Sequence, residues 1–147
     1  MTREELELFL HREIPLTRAM EVSVVRADDT GITLSAPLSV NKNDKNTGFA
    51  GALATLTTLS GWALVSHIVE RQDGNYNVVA SESQIRYLKP VVTEIVAQCD
   101  MPEPELVDAF LKRLGSHGKS RLNLLARIEC NEAAAVSFSG DYFALRK

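Results

Sequence analysis

Three asparagines, two lysines, one aspartate and one threonine fill Asn41–Thr47, and one residue later begins a 21-residue run, Phe49–Val69, without a single Asp, Glu, Lys or Arg. Within that loop Asp44 is the only side chain that can take a proton at neutral pH, and Asn43 beside it can both donate and accept hydrogen bonds. The run opens on Phe49-Ala50-Gly51. If it is helical, its first N–H groups lack partners and its dipole favours negative charge at that end. The small residues Ala50 and Gly51 would let a bulky group approach the backbone. Thr55, Thr57 and Thr58 follow; each could hold a water, although bonding to the carbonyl one turn back is the commoner fate of a helical hydroxyl. His67 is 16 residues beyond Gly51, about 24 Å along a helix axis, and is too far to act there. His11 and His117 fall on expected surface positions with no partner spacing. No His, Cys, Asp or Glu set has the spacing of metal ligands.

The charge-free run must be hidden from water. Its length rules out a single strand, which takes about 5 to 6 residues. A membrane span needs about 20 strongly apolar residues, whereas three Thr, two Ser and two Gly dilute this one. A buried helix at the centre of a domain is the expected form. The rest of the composition agrees: 147 residues suffice for one domain, residues 1–147, with a real core, and 45% apolar and 24% charged residues are globular values. A net charge of -3 without a dense basic tract argues against a nucleic-acid partner. The opening MTREELELF is acidic and amphipathic and is not a signal peptide. Cys99 and Cys130 have no CxxC or Cys/His spacing and are read as buried thiols of a cytoplasmic protein.

Taken in order, Thr2 and Glu5 have capping-box spacing for a short helix carrying Leu6, Phe9 and Leu10 until Pro15. Met20, Val22 and Val24, the turn Asp28–Gly31, and Ile32, Leu34 and Ala36 make a hairpin. After the central helix and a turn-rich stretch, Glu70–Gly74, Asn77–Leu88 is a long strand, Pro90 a break, and Thr93–Cys99 another strand. A second amphipathic helix follows Pro104, with Leu106, Val107, Phe110, Leu111 and Leu114 on its inner side and Gly115 to cap it. Lys119–Asn131 and Ala133–Leu145 pair through Asn131-Glu132. The economical arrangement is α+β, an antiparallel sheet curled around the long helix, known as the hot-dog fold. One such sheet leaves an edge strand open, so subunits are expected to pair, with Asn77–Leu88 as the shared edge.

The order of elements, the phrase Asn43–Leu53 (NDKNTGFAGAL) and Ile85–Pro90 (IRYLKP) resemble hot-dog acyl-CoA thioesterases, and the closing Phe138–Leu145 (FSGDYFAL) is similar to the thioesterase family named after the C-terminal half of YiiD. The resemblance covers nearly the whole chain. It implies a thioester hydrolase acting on coenzyme A or carrier-protein esters at a dimer interface, as a homodimer or dimer of dimers, without metal or redox cofactor. Backbone N–H groups at Ala50 and Gly51 would hold the thioester oxygen, with Thr47, Glu82 and Ser83 beside the substrate. In relatives a carboxylate two turns along the helix does the chemistry; here that position is Thr58. Asp44 is then the leading base, Glu82 a second acid if its register turns it inward, and Asn43 a group that could orient water or the carbonyl. Arg113, Lys119 and Arg121, with His117 nearby, flank a loop where relatives tend to bind coenzyme A phosphates, a task basic side chains suit; a solvated helix end is the alternative. Thr at the helix-acid position also leaves open an acyl-binding domain that does not hydrolyse. A hot-dog dehydratase would need a His near the helix entry, and none lies between Met20 and Val65.

Overall fold

In the computed structural model, which describes residues 1–147, the charge-free run is the helix α3, Ala50–Val69. It has no amphipathic face to match a flat surface, and thirteen of its residues are buried, from Ala52 to Val69. A surface that is apolar nearly all round requires cover nearly all round. Six antiparallel strands supply it: β1 (Ser23–Asp28), β2 (Gly31–Ala36), β3 (Tyr76–Tyr87), β4 (Ile95–Asp100), β5 (Lys119–Cys130) and β6 (Ala133–Arg146), in spatial order β1-β2-β4-β5-β6-β3. This is the hot-dog arrangement that the helix's composition called for. By length and composition α3 could cross a membrane, but its apolar surface is spent against this sheet.

Period-two patterning decides which side chains reach the helix. Along β5, Ser120, Leu122, Leu124, Ala126, Ile128 and Cys130 are buried while their neighbours face outward. Val136, Phe138, Gly140, Tyr142 and Ala144 do the same on β6, with Ala135 buried out of phase where the register shifts, and the two strands join at Asn131-Glu132, both at positive φ, the geometry of a tight hairpin turn. All six residues of β2 are buried, Thr33 and Ser35 included. Tyr142 donates from its hydroxyl to the Thr58 carbonyl at 2.7 Å. A Cβ at Gly61 would fall 2.3 Å from that hydroxyl, so glycine there is what lets helix and sheet approach. Burial pushes the Tyr142 phenol upward, which keeps it a donor.

The ends of the sheet differ. α1 (Arg3–Glu13), started by the expected Thr2/Glu5 capping box, packs on β1, and a four-residue turn of helix, α2 (Leu16–Ala19), returns the chain. At the other end β3 is paired only with β6. Two sequence expectations shift here. α4 (Pro104–His117) ends not at Gly115 but at Gly118, whose φ of 69° is the left-handed cap conformation, and its Leu106 is exposed while Phe110 and Leu114 enter the core. His11 also has a partner: its Nε2 lies 2.7 Å from the Val22 carbonyl.

Candidate functional site

Helix α3 starts without a side-chain cap. Its N-cap is Phe49, and the first helical bond runs from the Leu53 N–H to the Phe49 carbonyl. The N–H groups of Ala50, Gly51 and Ala52 therefore have no protein partner, and Ala50 and Gly51 are exposed. A free row of N–H groups at the positive end of a buried helix is an anion or carbonyl-oxygen holder. The ring of Phe49 lies over Gly51, where a Cβ would meet it at 2.5 Å, and the Tyr87 hydroxyl donates to the Ala50 carbonyl at 3.3 Å. Neither ring was picked out as a site residue by sequence reasoning. The only prior sign of Tyr87 was its place in Ile85–Pro90.

The entry loop is tied down by its own bonds. Phe49 N–H donates to the Asn41 carbonyl and Gly48 N–H to the Val91 carbonyl, each at 2.8 Å. Buried Asn41 donates to the carbonyls of Met20 and Pro37. Asn43 closes the loop tip: its Oδ1 accepts from the Lys45 and Thr47 N–H groups, and its Nδ2 donates to Thr47 Oγ1. Asn43 and Thr47 thus hold the loop's shape. Asp44 sits at the tip with its side chain 81% exposed, paired with Lys45 at 2.9 Å.

Beside the entry, a hollow of about 360 Å3 follows the uncovered side of α3, lined by Ile14, Ala54, Thr55, Thr58, Leu59 and Trp62. The threonines divide here. Thr55 donates to the Gly51 carbonyl and Thr57 to those of Leu53 and Ala54, the expected back-bonds, whereas the Thr58 hydroxyl has no partner. Trp62 closes the far end, held by its Nε1 donating to the Val78 carbonyl at 2.8 Å and by stacking on Phe9 with 6.1 Å between ring centroids. No carboxylate or imidazole lines this hollow.

Glu82 and Ser83 alternate as strand neighbours do, and a bulge decides that Glu82 is the one facing outward. Val78 and Ala80 oppose Ala144 and Tyr142, which face the helix; the register then shifts around Ser81, so Glu82 opposes outward-facing Asp141 and Ser83 opposes inward-facing Gly140. Glu82 therefore sits on the outer surface beside Gln84, Asn123, Ser139 and Asp141, away from the helix entry. The inward set after the bulge ends on Tyr87, which is why its hydroxyl reaches Ala50.

The basic residues do come together. Arg113 and His117 from the end of α4, Lys119 and Arg121 from β5, and Phe143 from β6 surround a hollow of about 610 Å3, with Ser120 at its wall. Lys119 Nζ stands 4.9 Å over the Phe143 ring, and Arg121 lies 3.8 Å from Asp141. Ser120 is buried, and its Oγ has no hydrogen-bond partner. His67 is buried late in α3, far from the entry, and burial depresses its pKa.

Comparison with known proteins places this geometry. A protein of unknown function from Chlorobaculum tepidum superposes with a TM-score of 0.94 at 27% identity over 99% of this chain and 94% of its own. A protein from Shewanella oneidensis, described as a putative thioesterase, gives 0.85 at 28% identity over 97% and 96%. A Pseudomonas aeruginosa protein of unknown function shares the fold at 17% identity, with a TM-score of 0.84 over 100% and 97%. A curled sheet around a central helix is thus a shared plan, and, matched by the family model from residue 3 to residue 146, the chain belongs to the putative thioesterase family of the YiiD C-terminal domain.

Proposed function

We propose that the protein hydrolyses an acyl thioester, carried on coenzyme A or an acyl carrier protein, at the N terminus of α3 in a homodimer joined through β3. The observation that carries this reading is the row of unpartnered N–H groups at Ala50, Gly51 and Ala52 opening beside an apolar hollow. The acyl chain lies along Ala54, Leu59 and Trp62, and the thioester oxygen faces the N–H groups. Water adds to the carbonyl carbon, its proton passing to a carboxylate, and the negative charge on oxygen is held by the helix end. The C–S bond then breaks, and the departing thiolate takes the proton. Thr58, with its hydroxyl free, orients the water. Asp44 is the base: it is bonded only to its neighbour Lys45 and rides on a loop anchored to the helix start at Phe49. The chemistry needs no cofactor beyond the coenzyme of the substrate, and both cysteines are free thiols, in keeping with a cytoplasmic setting.

Release of free thiol from short, medium, aromatic and long acyl-CoAs tests the proposal. The wild type exceeds the buffer rate for at least one, and Asp44→Ala lowers kcat by about 10²-fold or more, the scale of a lost general base. A wild-type rate equal to buffer throughout rejects hydrolysis. The absence of acid or imidazole from the hollow favours a second reading, acyl-thioester binding without turnover. Calorimetry that detects acyl-CoA binding where no thiol is released would select it.

A further inference from the structure

We propose that Trp62 sets the acyl-chain length the protein accepts, stopping the chain after about eight to ten carbons, so that the substrates are short- and medium-chain acyl thioesters. This rests on the thioester reading above and adds the substrate class and the residue that selects it.

The sheet leaves one stripe of α3 uncovered. Its unburied residues run from Gly51 through Ala54, Thr55, Thr58 and Trp62 to Ser66, at helical spacing, and so share one face. Two hollows lie along this stripe, and Trp62 is the only residue that lines both. On one side of it is the hollow of about 360 Å3 that begins beside the free N–H groups; on the other is a second hollow of about 310 Å3. The two differ in character. No charged side chain lines the first, whereas Glu70, Asn75 and Lys147 stand in the wall of the second. An apolar chain running past Trp62 would exchange apolar walls for charged ones, at a cost in desolvation of those groups.

The partition is held from two sides. Trp62 donates from Nε1 to the Val78 carbonyl of β3 at 2.8 Å, and its ring stacks on Phe9 of α1 with the two planes 8° apart. Phe9 in turn carries the Arg12 guanidinium 5.8 Å from its ring centroid, and buried Leu6 and Leu10 fix α1 in the core. Swinging the indole aside would break the hydrogen bond and the stack together, so the ring is a fixed stop and not a gate. Helix geometry gives the length ahead of it. The lining on α3 runs from Ala54 to Trp62, eight residues, about 12 Å at 1.5 Å each. Carbon–carbon bonds of about 1.5 Å advance an extended chain by about 1.3 Å per carbon, so about nine carbons fill the span.

The test measures kcat/KM for thiol release across even-numbered, straight-chain acyl-CoAs of four to sixteen carbons. In the wild type the value should climb by up to about fourfold per methylene, the worth of one CH2 taken out of water. It should peak at eight or ten carbons and be at least about tenfold lower at fourteen. Trp62→Ala joins the two hollows and should move the peak to twelve carbons or more; Trp62→Leu repeats the measurement with less packing lost, circular dichroism reporting the fold of each. Ala54→Leu exchanges good helix formers at a half-buried position, fills the groove from its other end, and should move the peak below eight. A wild-type profile that is flat, or still rising at sixteen carbons, would overturn the inference while leaving hydrolysis standing. So would folded Trp62 variants whose peak stays with that of the wild type, or an Ala54→Leu protein with an unaltered profile. If the wild type releases no thiol, hydrolysis is rejected, and calorimetry with the same acyl-CoAs decides the matter of length by itself. Affinity that stops rising near ten carbons, and at a longer chain in Trp62→Leu, supports the stop; affinity indifferent to length, or no binding, overturns it.

Discussion

The two edges of the sheet are built to opposite ends. On β1 the edge is closed from within the chain: Glu7 of α1 accepts the Val24 N–H at 2.8 Å, and His11 bonds the Val22 carbonyl. Leu6 and Leu10 fix that helix in the core. On β3 the twelve-residue strand is paired with β6 on one side and with no strand on the other, its only further backbone contact being the Val78 carbonyl that accepts from Trp62 Nε1, and nearly all of it is exposed, Val79 and Tyr87 among its residues. An open strand of this length invites pairing, and natural sheets avoid leaving one unmanaged. The contrast teaches that the chain gives one edge an entire helix and the edge that flanks the helix entry no covering element. We infer from this that the second edge is covered by a copy of itself.

The most damaging way to break the contrast is to detach α1. Leu10→Ala removes a fully buried side chain and should cost about 2–5 kcal/mol, read as a lower midpoint in urea unfolding. If the closed edge depends on α1, the variant should also aggregate through β1. A midpoint equal to wild type would mean that α1 is not what holds this end. Next, Ser81→Asp with Ser83→Asp places like charges face to face across the proposed two-fold axis, where repulsion costs several kcal/mol. Sedimentation should show monomers that keep the wild-type circular dichroism, and thioesterase activity should fall with the dimer. A doubly substituted protein that still dimerises would move the interface away from β3.

Glu7→Ala is milder. It leaves the Val24 N–H without its acceptor and should lower stability by about 1–2 kcal/mol with no change of oligomeric state. An altered oligomeric state would blur the distinction between the edges. The smallest effect concerns pH. Burial lowers the His67 pKa, so the unfolded chain takes up the proton first as pH falls. The stability associated with neutral His67 is complete above its ordinary range near 6.5 and declines below it, by at most about 1.4 kcal/mol per pH unit. His67→Gln should flatten the melting temperature between pH 7 and 5, and an unchanged slope would assign the acid sensitivity to other groups.

How far the site could be read in advance depended on what kind of fact each residue represented. The charge-free run, the Thr2/Glu5 box, the alternation of Leu122 through Cys130 and the Asn131-Glu132 turn are local patterns, and each emerged where the periodicity put it. The uncapped start at Phe49 is local too, since no Ser, Thr, Asp or Asn stands at that position. Asn43 and Thr47 were legible as loop residues, but that they bond each other depends on the loop's closure. The lining of the hollow was not legible, because Ile14, Thr58 and Trp62 meet only when α1, α2 and the sheet dock around α3. The freedom of Thr58, with Thr55 and Thr57 back-bonded on either side, is a matter of rotamers and packing.

Composition and period thus determined by themselves that a long apolar helix must be wrapped by alternating strands, because burial of apolar surface and strand pleating act through neighbours in sequence. Tertiary structure alone decided which way the alternation points after Ser81. One extra residue opposite Tyr142 and Asp141 turns Glu82 outward and brings Tyr87 inward to the helix entry, a reversal that follows from the partner strand's register. It likewise decided which edge is closed and which is open, since Glu7 and His11 find Val24 and Val22 only after α1 has folded back on the sheet.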